Sequence, residues 1–352
     1  MPDRPKPTIR DIARLAGVSR STVSLVINDD RRISEATKNK VLRVIAEAGY
    51  EPNSLARGLA RRRAQTLAVL LPKTDSHVFS DYYFAEGISG VSDALAETGY
   101  RLLIQIVGER FLAQKGHLKL FRERGADGAL LLGTLNEDTF ADELLEARVP
   151  LVLVNSRRPG ASSVVADNRR GMRDMVKYLR GLGHRRIGFI GGLENTTVGE
   201  DRSRGFLEGL AEQGIPFSED LRLWGNFSEE SGARAALELL SRNPRPTAIM
   251  AANDMMAIGA LRAAHDALGL RVPEDLTVVG ADDVRLTTYL RPPLTTIAQP
   301  MYEIGGMATR MLLDGLTGAA PPREVVVDTR LVLRASAAPP PDRQLDRAGP
   351  RA

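Results

Sequence analysis

The chain has 352 residues and no cysteine, and its 48 Lys/Arg against 44 Asp/Glu give a net charge of +4. That length supports two or three domains with sizeable cores, and the lack of thiols excludes disulfides, thiolate metal sites and cysteine nucleophiles. Four scattered histidines without metal-ligand spacing, no apolar run of spanning length and an opening MPDRPKPTIRD without a signal-peptide core predict a cytoplasmic protein that is not an enzyme and holds no metal.

Residues 8–28, TIRDIARLAGVSRSTVSLVIN, predict two short helices joined by a tight turn. Thr8 and Asp11 have capping-box spacing. Ile9, Ile12, Ala13 and Ala16 recur on one helical face, and Gly17 supplies a left-handed stop. Ser19 caps the next helix, Arg20 to about Ile27, with Val23 and Val26 facing inward. Such a pair fits a helix-turn-helix whose exposed face enters the DNA major groove, and it also fits an ordinary helical hairpin. Charge separates the two readings. Residues 1–63 carry 14 Lys/Arg against 7 Asp/Glu, leaving 34 against 37 in residues 64–352. A basic head on a mildly acidic body suits phosphate binding with counterion release.

Ser34 precedes a third helical pattern, with Ala36, Val41, Val44, Ile45 and Ala48 apolar and Gly49 at its end. Residues 50–66, YEPNSLARGLARRRAQT, form an arginine-rich linker with a short helical phrase from Ser54 to Ala60. At this point the chain resembles the lactose-repressor (LacI/GalR) family of bacterial transcription factors. The resemblance runs in order through TIRDIARLAGVSRSTVSLVIN, SEATKNKVLRVIAEAGYEPNSLARGL and most of the remaining chain.

From residue 66 to about 334, apolar strands alternate with helical stretches. The strands are TLAVLLP (66–72), RLLIQIV (101–107), GALLLG (128–133), PLVLVN (150–155), RRIGFIGG (185–192), TAIMAAN (247–253) and LTVVGADD (276–283). This alternation makes parallel sheets covered on both faces, with ligands bound outside the carboxyl ends of the strands. The resemblance implies an α/β fold with a helix-turn-helix head and a two-lobed body like a periplasmic sugar-binding protein, its parallel sheets flanked by helices. Three crossing strands would join the lobes near Asp167, Ala298 and Pro322. The expected domains are 1–50 for the head, 51–65 for a hinge helix and linker, and 66–335 for the body. One lobe takes about 66–166 plus 299–321, the other about 167–297 plus 323–335. Residues 336–352, SAAPPPDRQLDRAGPRA, read as a disordered tail.

In the head, the resemblance places base reading on Arg20, Ser21 and Leu25. Arg20 has the donors for a bidentate contact to guanine or for a phosphate clamp, and Ser21 suits either. Leu25 stands where the family commonly has arginine; it cannot donate to guanine and suits a thymine methyl instead. Thr8, Ser19, Thr22 and Asn28 read as backbone-phosphate contacts, with Thr22 and Asn28 equally fit for local caps. Leu59 matches the hinge leucine that relatives insert into the minor groove, where two copies would bend the operator; its other reading is packing under the lobe. Arg57 and Arg61 to Arg63 read as phosphate contacts or as a solvated linker. Gly58 stands where relatives often have serine, and a helical glycine costs about 0.5–1 kcal/mol relative to alanine. A hinge that folds only on the operator is therefore expected, and Gly58→Ala should tighten operator binding.

In the body, the resemblance carries effector contacts onto Tyr83, Phe84, Thr134, Arg202, Phe227, Asn253 and Asp282, each at a strand or loop end. Tyr83 and Phe84 offer stacking faces, although an aromatic that starts a helix is as readily core. Thr134 offers a hydroxyl, Arg202 in DRSRGF a guanidinium for a hydroxyl pair or carboxylate, and Phe227 a closing ring. Asn253 and Asp282 supply the amide and carboxylate that suit sugar hydroxyls. Asp254 and Asp283 read as caps, Arg204 as solvated, and Asp167 with Asn168 as serving the crossing.

The resulting expectation is a homodimeric repressor on a palindromic operator, without cofactor, controlled by a sugar or sugar derivative between its lobes. The Tyr83–Phe84 pair also matches the family's purine-binding branch, which leaves a nucleobase or nucleoside open. A glycosidase would need a paired carboxylate at a set separation, which nothing here specifies. A sugar-binding protein without DNA regulation would leave the basic head unexplained.

Overall fold

The computed structural model describes residues 7–27, 30, 32–50, 63–72, 82–318 and 321–341. The chain divides into two compact units, residues 1–64 and 65–352.

The first unit contains α1 (Ile9–Ala16), α2 (Arg20–Ile27) and α3 (Glu35–Ala48). Its small core joins Ile12, Ala13 and Ala16 to Val23 and Val26 and to Val41. The Thr8 hydroxyl and Asp11 carboxylate form a reciprocal capping box, and Gly17 ends α1 at φ 60°. A side chain at that left-handed position would be strained.

The second unit runs β1 (Thr66–Pro72), α4 (Tyr82–Leu95), β2 (Arg101–Val107), α5 (Glu109–Ala113), α6 (Gly116–Arg122), β3 (Gly128–Leu132), α7 (Thr139–Glu146), β4 (Leu151–Val154) and β5 (Ser162–Ala166). It continues through α8 (Asn168–Gly181), β6 (Ile187–Gly191), α9 (Thr197–Glu212), β7 (Arg222–Trp224), α10 (Glu229–Leu240), β8 (Ala248–Ala251), α11 (Asp254–Leu268) and β9 (Thr277–Val279). It closes with β10 (Thr296–Ala298), α12 (Met301–Thr317), β11 (Glu324–Val327) and β12 (Arg330–Val332).

The first lobe is a six-stranded parallel sheet in the order β11-β5-β4-β3-β1-β2. Alternate side chains of one strand enter opposite cores, as a period of two requires. Leu67, Val69 and Leu71 of β1 pack with α4 and α12, while Ala68 and Leu70 pack with Phe140, Ala141 and Leu144 of α7. The second lobe is a four-stranded parallel sheet, β7-β6-β8-β9, whose Phe189 stacks on Phe206 of α9 with ring centroids 4.5 Å apart. β10 and β12 pair antiparallel where the chain passes between lobes.

Two expectations are corrected. The third crossing is not near Pro322: residues 324–327 pair with β5 and complete the first lobe, so the chain leaves it at Asp328–Thr329. Val325 and Val327 lie against the first lobe's core, which holds the strand there. The tail is also not free from residue 336. Ser336 is buried, donating to Val278 O at 2.6 Å and accepting from Thr295 N–H at 2.8 Å. The Ala338 carbonyl accepts from His184 Nε2 and Thr277 Oγ1. Proline richness misleads because Pro340 lies beside Gly183 on the surface of the second lobe. Among the described residues no helix is long and apolar enough to cross a membrane.

Candidate functional site

In the head, α2 turns Val23 and Val26 inward and leaves Arg20 and Ser21 exposed, with Leu25 half-buried. Ser19 accepts from Thr22 N–H at 3.0 Å, and the two hydroxyls lie 2.9 Å apart. Ser19, Thr22 and Thr8 are thus engaged as caps, their hydroxyls holding the helix starts from which Arg20 and Ser21 project. Asn28, Arg57 and Leu59, with Gly58, lie outside the described residues.

In the body, Arg202 of α9 is the largest fully buried side chain among the described residues, 2 % exposed. Its Nε donates to Asn168 Oδ1 at 2.8 Å, its Nη1 to the Ala252 carbonyl, and its Nη2 to Asp282 at 2.6 Å and Gln299 Oε1 at 3.2 Å. The guanidinium therefore offers no free donor pair: four of its hydrogen bonds are internal, and of five N–H donors about one is left. Asn168, expected to serve the crossing, donates to Ala166 O at 3.5 Å there and also holds this guanidinium through Oδ1. Gln299 was missed by the sequence reading. It is 6 % exposed, and its Nε2 has no partner in the structure. A buried amide donor without a partner is costly, so this N–H is available to an incoming oxygen.

The other expected residues fall into separate pairs. Tyr83 Oη accepts from Asn155 Nδ2 at 2.8 Å and meets Phe84 edge-on, with Phe84 in the first lobe's core. Thr134 and Ser156 share a 2.7 Å hydroxyl bond. Asn253 caps α11 through Oδ1 and donates from Nδ2 to the Phe227 carbonyl at 3.0 Å. The rings of Trp224 and Phe227 lie so close over Gly191 and Gly192 that a Cβ at either glycine would collide with them.

Asp254 and Asp283 are not caps. Asp254 is fully buried, accepting from Val284 N–H at 2.9 Å and Thr296 Oγ1 at 2.5 Å, and Asp283 pairs with Arg334 at 2.6 Å. Burial, then the adjacent Asp282 charge, push the Asp254 carboxyl up to about 7. Asn155, Phe227, Asp282 and Asp283 all adopt positive φ, at 51°, 69°, 121° and 59°. Such backbone costs about 1–3 kcal/mol per residue and gathers at ligand sites.

Residues 8–53 match the family described as bacterial regulatory proteins, lacI family, and residues 176–337 match the periplasmic binding protein-like domain. The HTH-type transcriptional regulator CelR of Thermobifida fusca is 36% identical over 341 residues, 96% of this chain and 100% of the relative. A structure of a transcriptional regulator CelR–cellobiose complex superposes with a TM-score of 0.74 at 35% identity, covering 94% of this chain and 100% of that one. The lac repressor dimer bound to operator and the anti-inducer ONPF gives a TM-score of 0.82 at 27% identity, covering 95% and 100%.

Proposed function

The chain belongs to the LacI family of bacterial regulatory proteins, and from that membership we propose that a carbohydrate bound between its lobes sets the affinity of its head for an operator. It is a DNA-binding transcriptional regulator with a ligand-responsive body. The observation that carries the sugar assignment is the buried Arg202–Asn168–Asp282–Gln299 cluster, with an unpartnered Gln299 Nε2 and about one guanidinium N–H for ligand oxygens. Fixed donors beside a carboxylate match hydroxyls, which both donate and accept. The cellobiose bound by the CelR relative supports the same ligand class. A nucleobase is disfavoured, because Phe84 is committed to the core and the Tyr83 hydroxyl to Asn155.

The protein acts by binding and not by turnover. Asp282, Asp283 and Asp254 are held by Arg202, by Arg334, and by Val284 with Thr296, so these three carboxylates are engaged structurally and not paired to activate water. Two copies would present two heads to a palindromic operator in the cytoplasm, with Arg20, Ser21 and Leu25 at base edges. Repression is the sign we assign, following the operator-bound lac repressor.

Trp224 is the sole tryptophan of the chain and lies beside Gly191 at the end of β6, so its fluorescence reports the site. Titration with cellobiose, lactose, maltose, glucose, hypoxanthine and adenosine should give a saturable change with at least one sugar. Gln299→Ala should weaken it about tenfold, the loss of one buried hydrogen bond. A response to hypoxanthine or adenosine alone would overturn the carbohydrate assignment.

A further inference from the structure

The lobes touch directly at a place other than the crossings. In the first lobe the segment after β3, residues 134–138, is held rigid from below. Arg158 donates to the Asn136 carbonyl, to Leu135 O at 2.8 Å and to Asp138 O at 3.0 Å, and Leu135 N–H donates to Asp138 at 2.7 Å. This braced segment meets the second lobe at the start of α9. Asn136 N–H donates to Asn195 O at 2.7 Å, and Asn136 Nδ2 donates to Glu200 at 3.1 Å. Asn195 Nδ2 returns a bond to Glu137 at 2.8 Å.

Beside it, Arg157 Nη1 of the first lobe reaches Asp201 Oδ2 at 2.5 Å. Each partner is anchored within its own lobe, Arg157 by Glu324 at 2.7 Å and Asp201 by Arg169 at 3.0 Å. The result is an alternating chain of charges, Glu324–Arg157–Asp201–Arg169, that passes from one lobe to the other.

Topology gives the main contact leverage. β3 is three strands in from β11, and β6 is two strands in from β9, the sheet edges beside the crossings. At about 4.8 Å per strand, the contact lies roughly 10–15 Å from the hinge. Glu200, Asp201 and Arg202 are also consecutive on one helix, so the contact and the buried guanidinium move as one body.

We propose that Asn136, Glu137 and Arg157, meeting Asn195, Glu200 and Asp201, form a clasp that holds the lobes closed without effector and that α9 couples to the ligand site. A ligand that shifts Arg202 carries Glu200 and Asp201 with it, so clasp geometry reports occupancy. Only this last coupling rests on the carbohydrate reading; closure itself is measured with no sugar present.

The lack of native cysteine allows unique labelling. Dyes are placed on Glu123→Cys in the first lobe and Glu212→Cys in the second, both exposed, and energy transfer is read on single full-length molecules. Without sugar, one high-transfer population is expected. Asn195→Ala and, separately, Arg157→Gln should each raise the low-transfer population about fivefold, as loss of one or two net hydrogen bonds implies. Sodium chloride at 1 M should act in the same direction on the Arg157–Asp201 pair, which is partly exposed. An unchanged distribution in both variants, or a native protein already in low transfer, overturns the clasp. Failure of every sugar to bind would leave this result standing, and failure of the clasp would leave the sugar assignment standing.

Discussion

Asp254 sets a pH dependence that a single substitution exposes. Its carboxyl, pushed up to about 7 by burial and then by Asp282, titrates near 3.8 in the unfolded chain. The folded protein therefore binds that proton more tightly, so the stabilisation is complete below about pH 3.8 and is lost as pH rises through about 7. Asp254 accepts from Val284 N–H and from Thr296 Oγ1, and an asparagine of the same shape keeps an acceptor oxygen there without a group that titrates. Thermal melts across pH 5–8 should decline for the native protein and stay flatter for Asp254→Asn; parallel declines would refute this. Asp282→Asn should instead lower unfolding free energy by about 3–5 kcal/mol in denaturant titrations, because it leaves the buried Arg202 uncompensated. The sequence named both Arg202 and Asp282 but not their bond, since 80 residues separate them and neither spacing nor residue type encodes the contact. Gln299, in IAQPMYE, carries no local signal; its burial alone reveals it.

Elements were legible wherever their signals are local. The Thr8–Asp11 box and the Gly17 stop bound α1 as their spacing predicts, because caps act on backbone groups within one turn. Thr8→Ala is expected to destabilise the head by about 1 kcal/mol and weaken DNA binding, read by melting the isolated transition and by operator titration. The longer apolar strands were found because two covered sheet faces demand unbroken apolar runs. β5, β7, β11 and β12 were not, each holding at most three consecutive apolar residues, too few to show a period. Helix pairing was also hidden. α4 and α12 cross so closely that a Cβ at Gly90 would strike the Tyr302 carbonyl. Gly90→Ala should therefore destabilise the first lobe by about 1–3 kcal/mol in a urea titration, and an unchanged midpoint would show the crossing to be looser.

For the whole molecule, linkage gives a reciprocal expectation. If a sugar alters operator affinity by some factor, operator DNA must alter sugar affinity by the same factor, about 5–150-fold in typical cases. Trp224 titrations with and without an operator duplex measure this directly, and identical sugar affinities would disprove coupling between head and cleft. Operator binding itself should weaken steeply with salt, because the basic head displaces condensed counterions.

The sequence by itself determined a capped helix pair in a net positive head and a body of alternating strands and helices, and its resemblance to the LacI family implied a regulator with a ligand-binding body. These signals survive in one dimension because they rest on neighbours three or four residues apart or on charge summed over a segment. Only the tertiary structure decided where the lobes exchange chain, at Asp328–Thr329, that residues 336–338 are anchored, and which groups surround Arg202. Those facts depend on pairings between residues tens to hundreds of positions apart, which burial and hydrogen-bond satisfaction select and local pattern does not record.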